Sequence, residues 1–246
     1  MYRMTFDYHT HTIYSPGPLR SHGKGTPEEN VQAAIEKGLS GIAISEHGPG
    51  HLTYGIKREK ISELHMEILR LRKKYPQIQI FMSVEANTVR SSNNLDVRPE
   101  EFALFDFVNA GYHFGVRGAH VPSNFIHNKG LRKKATEKFA KRNTDIIVGA
   151  LTKNKIKILT HPGDKAPVEM KRIAAACERT GTWMEVNNSH GHLDTEELAL
   201  CGNYDVQFVV SSDAHRPEDV GSYEVALERI LEAGIDISRV VNIEEY

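Results

Sequence analysis

Short apolar runs alternate with stretches of helical periodicity along the chain, the pattern of repeated β–α units around a parallel sheet. Met4 to Tyr8 reads as a first strand. Thr26-Pro27-Glu28-Glu29 then has the chemistry of a helix start: a hydroxyl N-cap, proline at the first helical position and a glutamate placed to bond back to the cap. That helix closes near Gly38, since glycine takes the left-handed conformation behind a last turn at little steric cost. Gly41 to Ser45 is the second strand. Arg58 to about Lys74 repeats Ile61, Leu64, Ile68 and Leu71 on one helical face, with Pro76 beyond it. Further strands are expected at Ile78 to Val84, Phe105 to Ala110, Ile156 to Thr160, Thr182 to Val186 and Val206 to Ser211. Leu131 to Leu151, Val168 to Thr180 and Glu224 to Glu232 read as helices, and a short apolar tail, Val240 to Ile243, ends the pattern.

Seven strands with intervening helices, and no linker or repeat to divide them, predict one α/β domain over residues 1–246, a (β/α)7 barrel, regular or distorted, rather than an open sheet. In such barrels the functional groups sit at the C-terminal ends of the strands, on the loops that lead to the helices. The histidines are therefore the residues to place.

There are 13 of them in 246 residues, and histidine is not among the common residue types. The net charge of -1 gives no long-range attraction to nucleic acid or to acidic membranes. Cys177 and Cys201 read as buried free thiols of a reducing compartment. No apolar signal region follows Met1 and no run reaches membrane-spanning length, so a cytoplasmic protein without a membrane partner is expected.

The ligand-type residues fall where a barrel needs them. His9 and His11 follow the first strand, in Asp7-Tyr8-His9-Thr10-His11, with His22 in the loop beyond. His47 follows the second, in Ser45-Glu46-His47-Gly48, and Glu85 ends the third. His113 follows the fourth and His161 the fifth, in Thr160-His161-Pro162-Gly163. Asp213 and His215 follow the seventh, in Ser211-Ser212-Asp213-Ala214-His215. Imidazole and carboxylate are ligands for zinc, manganese and iron. A single H-x-H is weak evidence, but surface or core histidines have no reason to choose six strand ends. Burying so many polar rings at one end of a barrel without an ion would also be costly.

The succession of H-T-H, E-H-G-P, a lone Glu, A-G-Y-H, T-H-P-G, E-V-N-N-S and S-S-D-A-H resembles the polymerase and histidinol phosphatase (PHP) family across essentially the whole chain. It is most similar to the small stand-alone bacterial members with a trinuclear metal centre. The resemblance implies a distorted barrel and three divalent transition metals per chain, zinc first, then manganese or iron. His9, His11, Glu85 and Asp213 would hold one ion. Glu85 would bridge to a second, completed by His113 and His161, and His22, His47 and His215 would hold the third. His22 rests only on its offset from the following helix. The family has Asp where this chain has Glu46, and the extra methylene would shift a carboxylate that orients a ligand.

Two or three cations side by side activate water and neutralise phosphoryl oxygens. The expected reaction is phosphomonoester hydrolysis on a small phosphorylated metabolite, delivered by a metal-activated hydroxide, with Asp213, Glu85 and His215 in the catalytic set. Either Asp213 or a second bound water would move the proton. Arg216 and Arg117 are candidates to contact the substrate phosphate bidentately. Asp7 is expected to fix a strand-end histidine in its tautomer. Glu185, Asn187 and Asn188 end the sixth strand, as pocket lining or as structural residues. His190-Gly191-His192 reads as a pocket rim or surface; His51, His65, His120 and His127 read as surface, and Trp183 as part of the barrel wall. Three alternatives compete: a dedicated histidinol-phosphate phosphatase, a nucleotide phosphodiesterase or nuclease, and a metal-binding module without catalysis. The near-neutral charge disfavours nucleic acid, and the filled ligand positions disfavour a degraded site.

Overall fold

In the computed structural model, which describes residues 1–17, 21–118, 124–125 and 136–246, seven strands pair in parallel in chain order. They are β2 (Phe6–Thr10), β3 (Gly41–His47), β4 (Gln79–Asn87), β5 (Phe107–Gly111), β6 (Ile158–Leu159), β7 (Trp183–Asn187) and β8 (Phe208–Ser211). Helices α1 (Pro27–Glu36), α2 (Arg58–Lys74), α3 (Thr136–Lys153), α4 (Met170–Thr180), α5 (Thr195–Cys201) and α6 (Glu224–Glu232) alternate with them or follow. Two short strands, β1 (Tyr2–Met4) and β9 (Ile243–Glu245), form a separate antiparallel pair.

Local chemistry sets these boundaries. The Thr26 side chain accepts from the Glu29 N–H, and the Glu29 carboxylate accepts from the Thr26 N–H, closing the capping box of α1. Gly38 and Gly181, with φ of 72° and 67°, turn the chain out of α1 and α4. Ile61, Leu64, Ile68 and Leu71 are the buried stripe of α2. Ile42, Ile44, Ile80, Met82, Val84, Val108 and Ala110 of the strands join that stripe in one apolar cluster. Strand residues of the other parity, Ser45, Ser83, Glu85 and Asn109 among them, therefore face the barrel interior.

Three departures from the sequence pattern have local causes. The run from Met4 to Tyr8 is broken at Thr5, whose N–H donates to the Asn242 carbonyl (2.9 Å) as the chain passes from one sheet to the other. The tail's strand is β9, later than the apolar run, because β1 pairs with it by backbone bonds that need no apolar side chains. Helix α5 has only 7 residues, too few to display a period. Residues 131–135 of the expected helix before α3, and His120 and His127, lie outside the described residues.

The barrel closes between β8 and β2 mainly through side chains. His11 N–H donates to the Ala214 carbonyl (2.7 Å) at the top of this seam. Lower down, Asn242 Nδ2 donates to the carbonyls of Phe6 and Val210 (2.6 Å each), while its Oδ1 accepts from the Val210 N–H (3.0 Å). One buried amide thus replaces a rung of the ladder. Asn242→Ala strands those three main-chain groups, so stability is expected to fall by about 3 kcal/mol, at about 1 kcal/mol or more for each. A lower urea midpoint with an unchanged slope would record it.

Candidate metal centre

Each of the strand ends named by the sequence delivers its side chain to one enclosed space. His9, His11, His47, Glu85, His113, His161 and Asp213 are all buried. His9 Nε2 lies 3.0 Å from His11 Nε2, 3.4 Å from Glu85 Oε2 and 3.6 Å from Asp213 Oδ1. His11 Nε2 lies 3.7 Å from Glu85 Oε2 and 3.1 Å from Asp213 Oδ1. Ligand atoms about 2.0–2.1 Å from one tetrahedral or octahedral ion are about 3 Å or slightly more from one another, which is this spacing. Glu85 reaches further: its Oε2 is 3.3 Å from His113 Nε2 and 2.9 Å from His47 Nδ1, and its Oε1 is 2.7 Å from His161 Nε2. His11, His47 and His215 form another group with ligand atoms within 4.8 Å of one another.

His22 stands at the edge of this assembly. Its ring centroid is 4.3 Å from that of His215 and 5.4 Å from that of His47, and it stacks on Tyr54 at 4.0 Å. Glu46 sets its loop. The Glu46 carboxylate accepts from the Thr12 N–H (3.0 Å) and the Ser15 hydroxyl (2.5 Å), and the Ser15 carbonyl accepts from the His22 N–H (3.1 Å). Thus Glu46 braces backbone and meets no imidazole among its hydrogen-bond partners; burial pushes its pKa up to about 7.

Partners outside the cluster fix the rings. Glu185 Oε1 is 2.7 Å from His9 Nδ1, which leaves Nε2 facing inward, and its Oε2 accepts from the His161 N–H (2.8 Å). His113 Nδ1 lies 2.8 Å from Asn87 Oδ1; the Asn87 amide is itself oriented by Nδ2 donating to Asp96 Oδ2 (2.6 Å). Asn187 Nδ2 donates to both Glu185 (3.0 Å) and Asp213 (3.2 Å). His161 and Asp213 carry positive φ, 27° and 54°, a strained backbone for non-glycine residues that recurs at functional sites. Removing the amide in Asn87→Ala frees the His113 ring; affinity for metal is expected to fall by about 10–100-fold, measured by competition with a chromogenic chelator.

Gly111 makes room for the Glu85 carboxylate. A Cβ there would fall 2.2 Å from Thr160 Oγ1 and 2.9 Å from Glu85 Oε1. Thr160 Oγ1 also donates to Glu85 Oε1 (2.7 Å), so Gly111→Ala must displace both. Activity is expected to drop by about a hundredfold or more, on the scale of losing one well-placed site group, with the circular dichroism spectrum unchanged.

The donor set fits metal ions. Among the described residues, His11 Nδ1, His47 Nδ1 and Nε2, Glu85 Oε2, Asp213 Oδ1 and His215 Nε2 are buried with no hydrogen-bond partner, an expensive state unless something else binds them. Burial, with His47 and His215 alongside, holds the His11 pKa well below that of free imidazole. Burial also lowers His113, and takes His22 down to about 3, so these rings offer neutral lone pairs. Burial opposes the ionised forms of Glu85 and Asp213, yet the surrounding imidazoles hold both carboxyls well below their ordinary range.

Several other expectations change. Asp7 accepts from Ser212 and from the Gly221 N–H (2.8 Å) and tethers the β2–β8 seam, while the carboxylate that holds a histidine ring is Glu185. Arg117 and Arg216 are exposed and do not line the cavity above the cluster: Arg117 lies in a turn beyond Gly115, and Arg216 runs out beside Glu218 (3.8 Å). The ammonium lining that cavity of about 550 Å³ is Lys165, which no motif marks. His51, expected at the surface, is buried in its wall, and His190 reaches inward to 3.2 Å from Asp213 Oδ2. His192 stays half-exposed beside Glu197, and Asn188 accepts from the Val225 and Ala226 N–H groups at the start of α6. No helix among the described residues is long and apolar enough to cross a membrane.

A parallel barrel whose strand ends converge on imidazoles and carboxylates suits a metal-dependent hydrolase, and the family match and relatives make it a metal-dependent phosphoesterase. The chain belongs to the PHP domain family, whose model matches residues 7–189. The match ends before β8, so Asp213 and His215 join the site from beyond it. A protein from Thermoanaerobacter sp. (strain X514) named probable phosphatase is 29% identical over 263 residues, covering 99% of this chain and 94% of its own. Another of that name, from Caldicellulosiruptor bescii, is 26% identical over 95% of this chain and 89% of its own. The crystal structure of histidinol phosphate phosphatase from Lactococcus lactis, complexed with zinc, L-histidinol and phosphate, shares the fold with a TM-score of 0.61 at 16% identity, over 95% of each chain.

Proposed function

We propose that the chain, as one unit over residues 1–246, hydrolyses small-molecule phosphomonoesters at a centre of up to three divalent metals. The observation that carries this is the pair of inward nitrogens of His9 and His11, 3.0 Å apart and each within 3.1–3.7 Å of Glu85 Oε2 and Asp213 Oδ1. Those four residues would hold one ion. Glu85, His113 and His161 would hold a second, and His47 and His215, with His22 at the edge, a third. Such ions, when bound, acidify water and neutralise phosphoryl oxygens.

The remaining tasks fall to the chain. Lys165 offers the ammonium for the phosphate, and Phe114 and Tyr54 give the leaving group an apolar wall. Asp213 Oδ2, 3.2 Å from both Asn187 Nδ2 and His190 Nε2, would take the proton of attacking water, with those two groups holding the carboxylate in position. The Lactococcus lactis structure makes histidinol phosphate the first named substrate to try.

Phosphate release from 4-nitrophenyl phosphate, histidinol phosphate and sugar phosphates, set against a bis-aryl phosphodiester, tests the reading. Monoesters are expected to be hydrolysed about a hundredfold faster than the diester, and only with zinc, manganese or iron present. A preferred diester, or no release in any metal, contradicts it.

A further inference from the structure

The opposite end of the barrel carries a second constellation. Below the inward-facing Ser45 and Asn109, the strands contribute aromatic rings: Phe6 and Tyr8 of β2, Phe81 of β4, Phe107 of β5 and Trp183 of β7. Phe6 stacks on Tyr8 with centroids 4.0 Å apart, Phe81 lies 5.7 Å from Phe6 and 5.9 Å from Phe107, and Trp183 meets the Tyr8 ring edge-on at 5.4 Å. Gly41 is bare because a Cβ there would fall 1.9 Å from the Phe6 ring.

A core of rings would be expected to be dry, yet Tyr8, Phe81, Phe107 and Trp183 all keep partial exposure. A cavity of about 530 Å³ opens against Tyr8, Phe81 and Phe107, within the range of small-molecule sites. Lys155 and Lys157 stand on its rim. The Lys157 ammonium lies 3.5 Å from the centroid of the Trp183 ring, and among the described residues neither lysine is in an ion pair. The carboxylate on the wall, Asp106, is already taken by Arg72 and the Met82 N–H. Among the described residues the Tyr8 hydroxyl has no hydrogen-bond partner. Burial and the neighbouring Lys155 both disfavour charge on Lys157, the condition of a cation pair without its counterion.

We propose that this cavity is a second ligand site, which takes a planar aromatic carboxylate with its ring against Tyr8, Phe81 and Phe107 and its carboxylate on Lys157 and Lys155. Flat apolar walls select an aromatic ring by area and by stacking. The two ammonium groups only donate and the phenol can donate beside them, so the polar end of the ligand that fits them best accepts, and a carboxylate accepts most strongly. The site is independent of the proposed reaction, because it shares no side chain with the metal cluster.

Trp183 is the only tryptophan, so its emission reports on this end of the barrel alone. The metal-loaded protein, with inorganic phosphate present to occupy the other end, is titrated with benzoate and with uncharged benzamide, exciting at a wavelength where neither absorbs. Benzoate is expected to change the emission saturably and to bind about tenfold more tightly than benzamide, the scale of one charge-assisted hydrogen bond. Lys157→Met should abolish that preference and Lys157→Arg should keep it, with melting temperatures unchanged in both. Tyr8→Phe, which keeps the ring, should weaken benzoate alone. An emission that does not saturate, equal affinity for the two probes, or a Lys157→Met protein that still prefers benzoate would each overturn the proposal.

Discussion

Glu85→Gln is expected to lower kcat/KM by on the order of a thousandfold or more, since it removes charge stabilisation at the reacting centre. Among the described residues no other side chain is shared so widely: its two oxygens lie between 2.7 and 3.7 Å from ring nitrogens of His9, His11, His47, His113 and His161. Glutamine keeps the shape but replaces one charged acceptor oxygen by an NH2 that points donors at metal-binding lone pairs. Bound metal should fall with activity. The fold should persist, because the neighbouring Val84 and Ala86 face the outer core and are untouched. Steady-state kinetics with elemental analysis on the same preparation measures both, and a Glu85→Gln protein that retains metal and turnover contradicts the assignment.

Removing the metals is expected to destabilise the whole domain. His9, His11, Glu85 and Glu185 have 0% exposure and Asp213 has 5%, so without cations the cluster buries charges or unpaired polar atoms. An ion present at about a thousand times its dissociation constant contributes roughly 4 kcal/mol through linkage. For a domain of this size that corresponds to a Tm lower by about 10 °C. Calorimetry before chelation, after it and on returning zinc or manganese should show the loss and its recovery. Identical melting curves in all three would mean that no ion is bound to the folded state.

The convergence of ligand-type side chains was legible in the sequence where local pattern and position coincide. A strand's apolar run ends at a fixed place, and a histidine or carboxylate where it ends or soon after can be named from the chain alone, as with His47, Glu85 and His161. Residues that act across the barrel leave no such trace. Glu185 meets His9 from 176 positions away, and Asn242 repairs the seam 236 positions from Phe6. Lys165 and His51 carry no motif; they reach the cavity because loops from different strands happen to fold over the same mouth. Arg216 is the complementary case. It sits next to His215, but the 3-10 turn at Pro217–Asp219 directs it to solvent. Adjacency in sequence is a poor guide to direction once a strand has ended.

The central claim is that cations occupy the space between the inward atoms of His9, His11, Glu85 and Asp213. Anomalous diffraction from crystals grown without chelator, collected on either side of the zinc, iron and manganese absorption edges, locates such ions and identifies them. The expected map has a strong peak about 2.0–2.3 Å from those four side chains, with further peaks beside His113 and His161 and beside His47 and His215. A map without a peak there, before and after soaking in each metal, would contradict the account.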